Sequence, residues 1–107
     1  MANTYVNAKV DLTTTNITTL YTCAALTTCI VKSILVSEDS NNADTITLTI
    51  TDASSAVFSI YKTKAVSANG TVELLTAPLV VQAGEILKVT AATANRLHVV
   101  ASILEIT

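Results

Sequence analysis

The clearest pattern in the chain is the run Asp44-Thr45-Ile46-Thr47-Leu48-Thr49-Ile50-Thr51-Asp52. Its apolar residues fall on every second position, threonines fill the alternate positions, and an aspartate stands at each end. That period of two predicts a strand with one face on a core and the other in water. Similar segments are predicted at Tyr5–Leu12, Thr18–Thr22, Cys29–Ser37, Val57–Lys62, Thr71–Leu75, Ile86–Ala91 and Leu97–Ile106. Polar or glycine-containing separators lie between them at 38–42, 53–55, 69–70, 83–84 and 95. Asn69-Gly70 is predicted as a type I′ hairpin turn, since both residues tolerate a positive φ. Pro78 interrupts Leu74–Val81 and belongs at an edge, a bulge or a strand start. Ala91–Ala94 is too short for a stable helix. The expected fold is all-β: a single antiparallel β-sandwich domain over residues 1–107 with about eight short strands, of jelly-roll or immunoglobulin-like topology.

Two of these segments carry apolar residues at both parities. In Cys29–Ser37, strict alternation groups Ile30, Ile34 and Val36 on one face and Cys29, Val31 and Leu35 on the other. In Leu97–Ile106, Leu97, Val99, Ala101 and Ile103 share one side, and Val100, Leu104 and Ile106 the other. A small sandwich covers only one face of a strand. The second apolar face therefore predicts contact with another subunit.

Composition strengthens that expectation. Half of the 107 residues are hydrophobic, mean hydropathy is +0.56, and only 13% are charged, against about 25% in an average domain. Nineteen threonines supply β-branched side chains without charge. Apolar content this high, with a net charge of −2, excludes disorder. Six basic residues against eight acidic ones argue against nucleic-acid binding. The longest uncharged run, between Asp11 and Lys32, holds too many threonines for a membrane span. The first residues lack a basic region followed by an apolar core, so a cytoplasmic origin is expected.

Candidate chemistry is sparse. His98 is the only histidine, and no nucleophile motif, phosphate loop or zinc-protease motif accompanies it. A pocket placing His98 beside an acid is the arrangement that favours an enzyme; the expectation is that the protein is not one. Cys23 and Cys29 stand six positions apart, as free thiols or as a disulfide formed after release from a reducing cytoplasm. Too few other ligands lie nearby for metal, and no cofactor is expected. Glu38, Asp39, Asn41, Asn42 and Asp44 crowd one segment without calcium-loop spacing, so they are read as a solvated turn. Phe58, Tyr5, Tyr21 and Tyr61 are the only aromatics, a thin supply for sugar or single-strand recognition.

A set of motifs in fixed order adds a family likeness. These are Leu20-Tyr21-Thr22, Ile30-Val31-Lys32-Ser33-Ile34, the 44–52 run, Val72-Glu73-Leu74-Leu75, the stretch from Pro78 to Val89, and Leu97 to Ile106. Over about residues 17–106 the chain resembles short β-sandwich virion proteins of tailed bacteriophages, including those of cyanobacterial phages. The resemblance implies a non-enzymatic virion component assembled in the host cytoplasm, most of all a capsid cement or decoration protein. The expected partners are a major capsid protein, or another virion protein, and further copies of the chain, a trimer ahead of a dimer. A tail-, neck- or fibre-associated attachment module is the alternative. Neither nucleic acid nor membrane is an expected partner. Met1, Ala2, Asn3, Thr4 and Tyr5 are the candidate contact arm.

Overall fold

A computed structural model describes residues 2–107. It contains nine strands: β1 (Asn3–Asp11), β2 (Thr18–Thr22), β3 (Thr28–Glu38), β4 (Asp44–Thr51), β5 (Val57–Val66), β6 (Thr71–Glu73), β7 (Leu79–Val81), β8 (Ile86–Ala91) and β9 (Leu97–Ile106). They form two antiparallel sheets. The first has the order β1-β9-β3-β6, with β7 also paired to β3; the second has the order β2-β8-β4-β5. The all-β sandwich expected from the sequence is thus the observed fold.

The pairing is nested. β1 pairs with β9, β2 with β8, β3 with β6 and β7, and β4 with β5. Such a chain is a long antiparallel hairpin rolled into two facing sheets, the jelly-roll winding rather than the immunoglobulin one. β6 and β7 share one place on β3, interrupted at 74–78, where Pro78 lacks an N–H for a ladder. That interruption is why the sequence pattern showed eight segments and the structure has nine.

The core is the alternate set of positions from both sheets. β3 contributes Cys29, Val31, Ile34 and Val36; β9 contributes Leu97, Val99, Ala101 and Ile103. Across from them lie Leu20 on β2, Ile46 and Leu48 on β4, and Leu87, Val89 and Ala91 on β8. Each fully buried valine, leucine or isoleucine contributes about 1.5–3 kcal/mol of transfer free energy.

β3 corrects the strict alternation. Its register against β9 runs Val31↔Ile103 and then Ser33↔Ser102, so Lys32 is an extra, bulged residue. The bulge reverses parity: Cys29 and Val31 before it share the core face with Ile34 and Val36 after it. Ile30 and Leu35 therefore point outward together. Glu73 secures this irregularity by accepting hydrogen bonds from the Ile34 N–H at 2.8 Å, the Leu75 N–H at 3.1 Å and the Ser33 hydroxyl.

Asn69-Gly70 is a second correction. β5 and β6 lie in different sheets, so this turn is no hairpin but a crossing between layers. The Gly70 N–H donates to the Ser67 carbonyl at 2.9 Å, and only Asn69 of the pair takes a positive φ, 55°. Gly84 does need glycine: its φ is +81° in the turn closed by the Glu85 N–H on the Gln82 carbonyl at 3.0 Å.

Candidate interaction surface

The ladder registers fix which outward side chains are neighbours. Tyr5 lies opposite Leu104, Leu104 opposite Ile30, and Ile30 opposite Val80. Directly opposed residues share a face. One unbroken apolar row therefore crosses β1, β9, β3 and β7 on the solvent side of the first sheet. Tyr5 is 74% exposed and Val80 52%; Ile30 and Leu104 between them are half-buried by their neighbours. The next row is Asn7, Ser102 and Ser33, and beyond it Lys9, Val100, Leu35 and Glu73 stand in register. Leu35 and Val100 are also exposed. The two doubly apolar segments of the sequence are thus adjacent central strands, and their second faces merge into one surface.

The last row of this face is polar. Asp11, His98, Ser37 and Thr71 are in register. His98 Nε2 stands 3.2 Å from an Asp11 oxygen, and its Nδ1 stands 3.4 Å from an oxygen of Asp39 in the segment after β3. Asp11, Ser37 and His98 line an open groove of about 430 Å³. Serine, histidine and aspartate in one row is the composition of a nucleophilic triad. A triad, however, needs one imidazole nitrogen facing the serine hydroxyl. Here carboxylates, not the Ser37 hydroxyl, stand at both nitrogens. The arrangement is a clasp joining β1, β9 and the 39–43 segment. Sequence spacing could not reveal it, because its three members are brought together only by the sheet register.

The acidic segment after β3 folds around Glu38. This side chain is buried and accepts hydrogen bonds from the N–H groups of Ser40 at 2.7 Å, Asn69 at 2.9 Å and Asn42 at 3.1 Å, and from the Ser40 hydroxyl. Burial alone would raise its pKa; the Ser40, Asn69 and Asn42 hydrogen bonds outweigh it and hold the carboxyl at about 2. Its oxygens are occupied by the protein's own donors and are not arranged around a cation. Asp44 likewise accepts from the Thr93 N–H at 3.1 Å. No cluster of three metal-ligating side chains occurs among the described residues.

Cys23 and Cys29 are buried free thiols at the opposite end of the sandwich. Cys29 Sγ is 3.0 Å from the Tyr21 hydroxyl, which also donates to Glu105. Tyr21 belongs to the second sheet, and Cys29 and Glu105 to the first, so this cluster ties the sheets together. Burial pushes the Cys23 thiol up to about 12, with added contributions from Cys29 and Glu105, and burial raises Tyr21 as well. A thiol held protonated in this way is a poor nucleophile. The sequence singled out the cysteines and named Tyr21 among the aromatics, but did not bring Tyr21 together with Glu105, 84 positions away along the chain.

Of the candidate contact segment, Asn3, Thr4 and Tyr5 are exposed residues of β1, laddered against Ile106, Glu105 and Leu104. Ala2 is exposed too, and its carbonyl accepts the Thr107 N–H at 2.9 Å. Met1 lies outside the described residues.

No protein-family model matches this chain, and no curated protein matches it. Among the solved structures similar in shape are two of a pentameric capsid protein isolated from metagenomic phage sequences. Each has a TM-score of 0.47 and 19% identity, over 92% of this chain and 58% or 60% of the other. The chain thus spans less than two thirds of the length of those proteins.

Proposed function

We propose that this chain is a non-enzymatic structural protein of a phage virion, a cement or decoration protein that joins neighbouring major capsid protein subunits through the outer face of its first sheet. The observation that carries this reading is the apolar row Tyr5–Leu104–Ile30–Val80 on the solvent side of a sheet whose inner face is already filled. Contiguous exposed apolar surface marks an association site. The order of motifs that resembles tailed-phage virion proteins and the low charge support the same reading. A short, stiff sandwich repeated at many shell junctions needs only modest affinity at each, provided it bridges two subunits, since bridging raises the effective concentration of the second contact.

The test is reconstruction of the whole particle with the chain tagged. Density for it at junctions of the shell supports the proposal. Density at a tail, neck or fibre assigns it instead to an attachment module, and absence from purified particles ends the virion reading.

A further inference from the structure

A jelly roll with open sheets has four edges, and here three are protected. β2 is five residues long with a register shift between Thr19 and Tyr21. β5 has two register shifts, and Lys62 and Lys64 stand along it around Thr63, whose φ is 51°. The β6/β7 edge is two three-residue strands separated by a segment containing Pro78. These are the devices by which natural sheets prevent further pairing: shortness, bulges, lysines and proline. β1 has only Lys9. It runs nine residues with an unshifted register from Asn3↔Ile106 to Asp11↔His98 and without proline.

The hydrogen bonds at its ends show which groups are free. The Ala2 carbonyl accepts from Thr107, and the Leu12 N–H donates to the Leu97 carbonyl at 3.0 Å. Even-numbered residues therefore face β9, and by strand alternation Asn3, Tyr5, Asn7, Lys9 and Asp11 direct their N–H and C=O groups away from it. The Asp11 carbonyl is taken by the Thr13 N–H at 3.0 Å; among the described residues the others have no protein partner. Val6, Ala8 and Val10, on the core side of the same strand, are only partly buried.

We propose that β1 pairs antiparallel with β1 of a second copy, about a two-fold axis at Asn7. This register uses the whole strand. It sets Asn7 opposite itself, Tyr5 opposite Lys9 and Asn3 opposite Asp11, so that no like charges face each other. An axis at Lys9 would oppose two ammonium groups, which is unfavourable. Lys9 is placed to lie against the Tyr5 ring, as Lys64 lies 6.0 Å from the Tyr61 ring centre within the chain. On the inner side Val6 meets Ala8, adding cover to both. The pairing joins the first sheets of two copies. It also continues the row Val80–Ile30–Leu104–Tyr5 into Lys9, Val100 and Leu35 of the second copy. The dimer, the second of the two stoichiometries expected from sequence, follows from this edge.

Sedimentation velocity of the purified full chain tests the pairing. The expected species has twice the 11.2 kDa chain mass. Asn7→Pro removes an N–H that points away from β9, so the internal ladder survives; the expected result is a monomer with an unchanged far-UV spectrum. Should that variant fail to fold, Asn7→Lys serves in its place: it opposes two ammonium groups at the axis and should raise the dimer Kd at least tenfold. Ser59→Lys on the β5 edge should leave the dimer intact. Under mild oxidation Asn7→Cys should cross-link between copies and Asn3→Cys should not, because Asn3 faces Asp11. A monomer at the highest soluble concentration, a trimer or pentamer, or a dimer indifferent to both Asn7→Pro and Asn7→Lys overturns the proposal. These measurements need no particle: a dimer absent from virions would defeat the function proposed above and leave this pairing standing, and a monomer found on virions would do the reverse.

Discussion

Two rows of four residues cross the two outer faces of the sandwich, and they are chemically opposite. On the first sheet the row is Tyr5–Leu104–Ile30–Val80; on the second it is Thr19–Lys88–Thr49–Ser59. Both are solvent-side rows of the same roll. The second sheet shows that this chain can build a good outward strand face from threonine, whose branched carbon suits the pleat while its hydroxyl meets water. Strand propensity therefore does not explain leucine, isoleucine and valine on the first sheet. This contrast is the physical basis of the proposed shell contact.

The sharpest way to break the comparison lies within β3, at two consecutive residues. Ile34 is 0% exposed and Leu35 is 42% exposed. Ile34→Ala should cost about 2–5 kcal/mol, because it leaves a cavity between the sheets. Leu35→Ala should cost less than about 1 kcal/mol, because its side chain leaves much of its surface in water. Urea unfolding of the isolated chain measures both. Equal costs would mean that the outer face is packed much as the core is, and the distinction between the faces would fail.

A second experiment separates the faces by association rather than stability. Leu104→Lys puts an ammonium group in the middle of the apolar row and should weaken binding to particles lacking the protein at least about tenfold, or 1.4 kcal/mol. Ser59→Lys makes the corresponding change in the threonine row and should leave binding unchanged. A pelleting assay with purified particles reads both. Equal losses would show that the contact does not choose between the faces.

How much of this contrast was legible beforehand depends on what carries it. The strands were readable because threonine and aliphatic residues alternate, and β2, β8 and β9 have the bounds the pattern indicates. The second apolar face of Leu97–Ile106 was readable for the same reason. In β3 it was misassigned, since one bulged residue, Lys32, exchanges the faces, and in a strand apolar at both parities that phase shift is masked. The row itself was hidden, because it joins residues 5, 30, 80 and 104, which only the nested pairing aligns. The clasp at His98 and the Tyr21–Cys29–Glu105 cluster were hidden for the same reason.

Acid sharpens the comparison by acting on one sheet. Glu38 and Glu73 both lie on first-sheet strands, and both carboxyls are held below their ordinary value of 4.5. For each, burial opposes the shift and hydrogen bonds outweigh it: those from Ser40, Asn69 and Asn42 for Glu38, and those from Ser33, Ile34 and Leu75 for Glu73. A lowered native pKa means that the folded form binds the proton less well than the unfolded chain. The contribution is complete above pH 4.5 and is lost as pH falls from there toward 2. Urea midpoints should therefore drop across that window. Glu38→Gln should be less stable at neutral pH and show a shallower acid slope. A slope unchanged by the substitution would remove Glu38 as its source.

The smallest effect is expected where the apolar face gives way to polar residues. His98 is flanked by Asp11 and Asp39, but its side chain is 42% exposed and theirs are 62% and 63% exposed. Solvent screens pairs of this kind, and each contributes about 0–1 kcal/mol. Asp39→Asn should thus shift the urea midpoint only slightly at neutral pH, and less still in 1 M salt. It leaves Nδ1 of His98 without its carboxylate but leaves the ladder between β1 and β9, and hence the apolar row, in place. If Asp39→Asn weakened particle binding as strongly as Leu104→Lys, the contact would be centred on the charged groove and not on the row. If it changed neither binding nor stability by more than that small amount, the clasp would only tether the segment after β3, and the apolar row would be left as the feature that distinguishes the two faces.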